Sequence, residues 1–382
     1  LNERAHNHLA FAGLFSSAVT SQAVLSAANF AVGLVLIRYT TDVQYGYYVL
    51  ALNALLLLVS LQNAVFNPPL SIRINRLDST ERRGEFIGQL RAEQRRIGCA
   101  AAALCVLLGL VLWAAHVLDS ITGPLVLATG AAALATLDRE FFRMVLLALR
   151  RPHNVLRTDL LYVVCLVAGV VLAAHTSSPE SVAILTLGLA ALSSRILLAR
   201  TLRRDLPTSS ATRPGMLREI APLVAWTTAG AAIQWLFSQG YIYLVAGTLD
   251  VVAVAALAAT RLLLMPVNLL STGIGSLMLP LASGWLDRHG VALVRRRMWL
   301  FGAGVAVATL AYFAPLWLAR DWIFATVFKK DFAHRDTLLL LWAAVFLVMV
   351  IRAQLGYLLA AQARFRALTL LTLASSVAAL AI

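Results

Sequence analysis

The sequence predicts an all-α polytopic membrane protein, on three observations. Of 382 residues, 60% are apolar and 13% charged, about half the ~25% charge of an ordinary soluble domain. The apolar residues fall in runs long enough to cross a bilayer, which takes ~20 mostly apolar residues. The basic residues concentrate in every second connection between those runs, which is the positive-inside bias of membrane proteins. Mean hydropathy is +0.80. A disordered chain is thereby excluded, and a soluble globular enzyme is not expected.

In chain order the runs cover roughly 12–37, 44–66, 97–118, 123–149, 159–175, 182–199, 219–246, 251–280, 298–318, 337–360 and 367–382, about eleven spans by the window criterion. Each is continuous and rich in Leu and Ala, without the period-two alternation of a membrane barrel, so each reads as a helix. The connections after the even-numbered runs carry Arg73, Arg76, Arg82, Arg83, Arg91, Arg95 and Arg96, then Arg150, Arg151 and Arg157, then Arg200, Arg203, Arg204, Arg213 and Arg218, then Arg288 and Arg295 to Arg297. Those after the odd-numbered runs carry Arg38, Arg320, Lys329, Lys330 and Arg335. The N-terminus and the even-numbered connections are therefore expected in the cytoplasm. Net charge is +14, from 32 basic and 18 acidic residues. In a soluble protein that excess would suggest nucleic acid. Confined to alternate connections, it serves topology, and no nucleic-acid partner is expected.

The connection at 67–96 is amphipathic and charged, with Glu81 and Glu85 among its arginines. It suits a short surface helix turned toward anionic head groups, or it only fixes topology. The stretch at 200–218, with Pro207, Thr208, Ser209, Ser210, Thr212 and Pro214, reads as a polar linker. It falls after the sixth span, so a six-helix N-terminal lobe over 1–205 and a C-terminal lobe over 206–382 are expected. The last run stops at Ile382, so that second lobe is expected to be incomplete. Asp42 and Asp250 sit in the first external connection of each half, which suggests a parallel repeat.

Charges inside the spans are the candidate functional groups, because an ionised side chain at bilayer depth is costly and usually faces a bundle interior or wet cavity. Arg139 and Arg143 lie in span 4 beside Asp138 and Glu140, with Glu140 and Arg143 three apart on one helix face. Arg195 lies in span 6, Arg261 in span 8 near mid-bilayer, and Arg352 in span 10. Arg143 and Arg195 are close enough to the cytoplasmic end to snorkel. Asp159 is expected at the cytoplasmic start of span 5, beside Arg157. A cationic interior suits an anionic substrate, and Arg is the side chain shaped to clamp phosphate oxygens with paired donors. Asn29, Asn53, Gln234 and Asn268 add uncharged polar groups, and Trp226 and Trp235 offer stacking surfaces or packing.

Other chemistries find no support. Cys99, Cys105 and Cys165 all fall in or at the edge of apolar runs, which makes neither a disulfide framework nor a metal spacing. The seven histidines are scattered and form no ligand set. No phosphate-cradling G-x-x-x-x-G-K-[ST] loop, H-E-x-x-H or G-x-S-x-G occurs. No cofactor, metal or catalytic residue is expected.

Several connections resemble those of a known family. Arg38-Tyr39-Thr40-Thr41-Asp42-Val43-Gln44-Tyr45-Gly46-Tyr47-Tyr48 resembles the first external loop of bacterial polysaccharide flippases. The stretch Phe141 to Leu160, with Arg143, Arg150, Arg151, Pro152, Arg157 and Asp159, is similar to their span 4–5 connection. Gly247 to Leu264, ending Ala258-Ala259-Thr260-Arg261-Leu262, is similar to their span 7–8 hairpin, and Val327-Phe328-Lys329-Lys330-Asp331-Phe332 to their loop before span 10. These are the oligosaccharide flippases of the multidrug, oligosaccharidyl-lipid and polysaccharide exporters. The resemblance implies about 12 to 14 spans, in two six-helix lobes around a central cavity. It implies movement of a polyprenyl-pyrophosphate-linked oligosaccharide across the bacterial cytoplasmic membrane, for O-antigen, lipopolysaccharide or exopolysaccharide assembly beside other membrane proteins of that process. It assigns the head-group role to Arg261, with Arg139, Arg143 and Arg352. One departure stands out: many relatives carry an acidic residue near Ser238-Gln239-Gly240, and this chain has none there.

Two rival functions stay open. A membrane-embedded polysaccharide polymerase or ligase would carry a large external loop, whereas the longest expected here, about 319–336, is modest. A multidrug-type small-molecule antiporter would carry unpaired carboxylates inside the spans, and the sequence offers Asp and Glu there only beside arginine.

Overall fold

A computed structural model describes residues 2–115, 121–206 and 221–361. At 2–16, 18–19, 72, 75, 112, 205, 222–223, 268–291 and 355–361 it describes the backbone only. Most of the linker read at 200–218, the final run at 367–382 and the side chain of Asn268 lie outside the described residues. Among the described residues the chain is helical with no strand. The helices are α1 (Asn2–Tyr39), α2 (Asp42–Arg73), α3 (Thr80–Ala114), α4 (Thr122–Ala148), α5 (Pro152–Ala173), α6 (Pro179–Asp205), α7 (Ala221–Gln239), α8 (Tyr241–Thr248), α9 (Val251–Leu262), α10 (Met265–Leu318) and α11 (Arg335–Ala361). Seven of them are long and apolar enough to cross a membrane among the described residues. The chain is an all-α polytopic membrane protein. α4 falls outside that set although it is 27 residues long. Asp138, Arg139, Glu140 and Arg143 are the reason, and they mark α4 as the helix that must find partners.

The boundaries have local causes. Thr41 caps α2 with a reciprocal box: its hydroxyl accepts from the Gln44 amide at 3.2 Å, and the Gln44 side chain accepts from the Thr41 amide at 2.9 Å. Pro152 and Pro179 occupy the first turns of α5 and α6, where a missing N–H costs nothing.

Two expected loops are corrected. The connection at 67–96 is not a loop: α2 runs on to Arg73, one 3-10 turn covers Ile74–Arg76, and α3 starts at Thr80 under a Ser79 cap. The surface helix expected there is the first turns of a long helix. The connection expected at about 281–297 is helical too, within the 54 residues of α10. At 1.5 Å per residue α10 is about 80 Å long, more than twice the ~30 Å hydrocarbon thickness. Hydropathy falls in both stretches because arginine enters them, yet arginine is a good helix former and does not end a helix. Two spans expected to be continuous are broken instead, span 7 at Gly240 and span 8 after Leu262.

The chain divides into two compact units, Leu1–Ala255 and Ala256–Ile382. In the first, α4 packs on α2, α3 and α6, and α5 packs on α1 and α6. Its core joins Phe66 and Leu70 of α2, Ile87 and Leu90 of α3, Phe141 and Phe142 of α4, and Leu198 of α6. Small residues let α4 and α6 approach closely, as at helix contacts in membranes. A Cβ on Gly188 would lie 2.9 Å from the Ala132 Cα. Thr227 and Tyr243 donate to the Ala64 and Leu50 carbonyls, at 2.8 and 3.0 Å, tying α7 and α8 to α2. Leu104, Leu107, Leu108 and Val111 of α3 stay exposed, as lipid-facing positions do.

In the second unit α10 packs on α11. Leu264, Val267 and Phe346 form the core, with Tyr312, Phe313 and Trp342 against it. The Tyr312 hydroxyl donates to the Leu263 carbonyl at 2.7 Å, at the break between α9 and α10. The segment expected as the longest external loop is ordered by one helical turn at Arg320–Trp322 and a π turn at Ile323–Phe328. Arg335 pairs there with Asp321 at 2.5 Å and with Asp331 at 3.1 Å, over the Phe324 ring.

Candidate functional site

The charges of α4 are gathered into a buried cluster in the first unit. Arg139 is 3% exposed and Asp159 fully buried. Arg139 meets Asp159 at 2.5 Å and Glu140 at 2.7 Å. Its Nε donates to the Ser194 hydroxyl at 3.3 Å, and its guanidinium lies 3.9 Å from the centroid of the Tyr162 ring. Arg143, one turn along, meets the other Asp159 oxygen at 3.1 Å and Glu140 at 3.6 Å. Ser21 of α1 donates to Asp159. Four helices, α1, α4, α5 and α6, thus converge on two arginines and two carboxylates whose formal charges cancel. Beside them Asp138 pairs with Arg195 of α6 at 2.7 Å, with both side chains partly exposed. Gln94 donates to Gln62 at 3.1 Å, and Gln62 donates to the Leu137 carbonyl at 2.8 Å, extending the polar layer into α2 and α3.

The cost of burying such groups explains the arrangement. An isolated ion in a low-dielectric interior costs several kcal/mol even after relaxation. In this cluster each of the two arginines and two carboxylates meets an opposite charge. The cluster pins four helices, and Arg143 and Glu140, with 17% and 13% of their side chains exposed, are its partly open members.

The other expected site residues are placed separately. Arg261 is half-buried on α9, with its guanidinium 5.3 Å from the Trp342 ring centroid. Arg352 is exposed on α11. Between Ala256 and Leu318 the sequence holds one carboxylate, Asp287, and none follows Asp336. Asn29 on α1 and Gln234 on α7 are exposed. Asn53 is buried on α2, where its amide donates to the Val49 carbonyl at 2.9 Å while its Oδ1 has no hydrogen-bond partner. Trp226 is exposed, and Trp235 lies against Tyr243. The structure brings Arg139 and Arg143 together on shared carboxylates.

Several buried polar residues of the first unit were not given a site role by the sequence. Asp159 was expected at a helix start but sits two turns inside α5. Ser21, Tyr162 and Ser194 carry no pattern that marks them. Glu180, in the first turn of α6, is buried with its Oε2 unpartnered. The sequence named Asp159 only as a neighbour of Arg157, and a carboxylate within a helical apolar run is the signal that marks it for a buried pair.

No family model matches the chain, and no curated protein matches it. Among solved structures it is similar to an inward-facing multidrug-resistance MATE family transporter of the MOP superfamily. The TM-score is 0.67 and the identity 12%, covering 87% of this chain and 79% of that one. The chain has the fold of a MATE transporter. At that identity the likeness speaks for the fold alone.

Proposed function

We propose that the chain is a flippase that moves a polyprenyl-pyrophosphate-linked oligosaccharide across the bacterial cytoplasmic membrane by alternating access, without enzymatic chemistry. The observation that carries this reading is Arg261: a guanidinium within an apolar helix, half-buried on Trp342. Guanidinium is the side-chain group whose paired donors match the oxygens of a phosphate. The fold of a membrane transporter and the order of the loop motifs support the rest. Arg352 adds charge for the same head group. Arg143 is the member of the α4 cluster able to turn toward substrate, with Arg139 holding it in place. Asn29, Asn53 and Gln234 suit sugar hydroxyls. Other polysaccharide-assembly proteins are the expected neighbours in the membrane.

The test is head-group accessibility at each leaflet in proteoliposomes carrying a labelled polyprenyl-pyrophosphate sugar. Arg261→Ala is expected to slow movement about tenfold or more, the worth of one charge-assisted hydrogen bond. Folded wild-type protein that moves no substrate would end the reading, and sugar chains that lengthen instead would favour a polymerase.

One observation favours multidrug antiport as a second reading. The first unit does hold a buried carboxylate in the first turn of α6, Glu180, whose Oε2 has no hydrogen-bond partner, the kind of group a cation-coupled antiporter uses. Gradient-driven efflux of small cations, with no movement of the lipid-linked sugar, would select it.

A further inference from the structure

A second concentration of arginine lies outside the apolar part of the helices. Where α2 ends and α3 begins, a pocket of about 380 Å³ is lined by Arg73, Arg76, Arg82, Glu85 and Gln89 around Phe86. That volume lies in the ~300–1,000 Å³ range of small-molecule sites. Its walls are fixed from below. Ile74, Phe86 and Ile87 are buried in the core of the first unit. Arg83 donates to the Leu77 carbonyl at 2.8 Å, and the Ser79 hydroxyl accepts from the Arg82 amide at 3.2 Å. The three-residue turn at 77–79 is thereby held, and with it the spacing of arginines on either side. Three guanidinium groups against one carboxylate leave the lining cationic.

Its depth follows from helix length. Arg73 is the last residue of α2. The 32 residues of α2 are about 48 Å long at 1.5 Å per residue, close to the ~40–45 Å thickness of a bilayer with its head groups. With Asp42 at one surface, Arg73 and Arg76 reach the head-group layer of the other. By the charge bias of the connections this is the cytoplasmic surface.

We propose that this pocket is a phosphate-binding site at the membrane–water interface, with Arg73, Arg76 and Arg82 as the donors. The ligand chemistry is a phosphate group, supplied either by an anionic lipid head group or by free phosphate. The site does not depend on what the protein transports.

The experiment uses the full chain purified in detergent. Retention of phosphatidylglycerol against phosphatidylcholine is read by native mass spectrometry, and inorganic phosphate binding by calorimetry. The Arg73→Gln/Arg76→Gln/Arg82→Gln variant is expected to weaken binding on the order of a hundredfold, from the usual worth of an interfacial arginine. Loss confined to phosphatidylglycerol supports the site and assigns it to lipid; loss confined to inorganic phosphate supports it and assigns it to a soluble ligand. A folded triple variant that binds both probes as wild type does, or a wild type that binds neither, overturns it. Should the triple variant not fold, Glu85→Gln decides alone. About fivefold tighter binding supports the site, and unchanged binding overturns it.

Discussion

The two units treat intramembrane arginine in opposite ways. In the first, Arg139 and Arg143 share Asp159 and Glu140, and serine hydroxyls and a tyrosine ring complete their surroundings. In the second, Arg261 rests on an indole in helices almost without carboxylates. The difference teaches what each arrangement is suited to. A buried arginine matched by carboxylates is spent on holding helices together. A guanidinium over an indole gains the cation–π attraction of the ring, a weaker contact than a buried ion pair. Residue type alone, Arg in an apolar helix, does not tell these roles apart.

The comparison breaks most sharply at Asp159. Asp159→Asn leaves Arg139 and Arg143 with one carboxylate between them, and is expected to destabilise the protein by about 3–5 kcal/mol, the usual cost of breaking a buried pair. Thermal unfolding in detergent checks it. An unchanged midpoint would remove the pinning role. Asp138→Asn tests burial within the same layer. Its pair with Arg195 is as short but partly exposed, so the expected loss is about 1 kcal/mol or less. Arg261→Ala should cost little in stability, about 0.5–1 kcal/mol for a cation–π contact, while costing most in transport. A large drop in unfolding temperature with transport intact would reverse the contrast between the units. The smallest effect is expected at the end of the second unit. There the Arg335–Asp321 and Arg335–Asp331 pairs are exposed on their acidic side, so Asp331→Asn should shift stability by less than about 1 kcal/mol, and less still in high salt.

The positions of the helices were legible in the sequence, because apolar runs and capping residues are local. α1, α4, α5 and α6 lie where the runs at 12–37, 123–149, 159–175 and 182–199 place them, with ends extended by a few residues or a few turns. The ends of α2 and α3 and the course of α10 were not legible. Hydropathy reports where a chain leaves an apolar medium, and a helix continues past that point wherever its residues allow. The site divides the same way. Glu140 and Arg143 are three residues apart, and their pairing follows from helix geometry. Ser21 and Asp159 are 138 residues apart, and Arg139 and Ser194 are 55 apart. Nothing in local periodicity joins them.

By itself the sequence determined that this protein is a bundle of membrane helices with a strong charge bias between its two surfaces. Those properties depend on transfer free energies summed over short windows, which each segment carries regardless of its neighbours. The tertiary structure alone decided which carboxylates and which aromatic rings each arginine meets. An ion's cost and partners inside a protein depend on groups brought within a few ångströms from distant parts of the chain, and only the packing of the helices sets those distances.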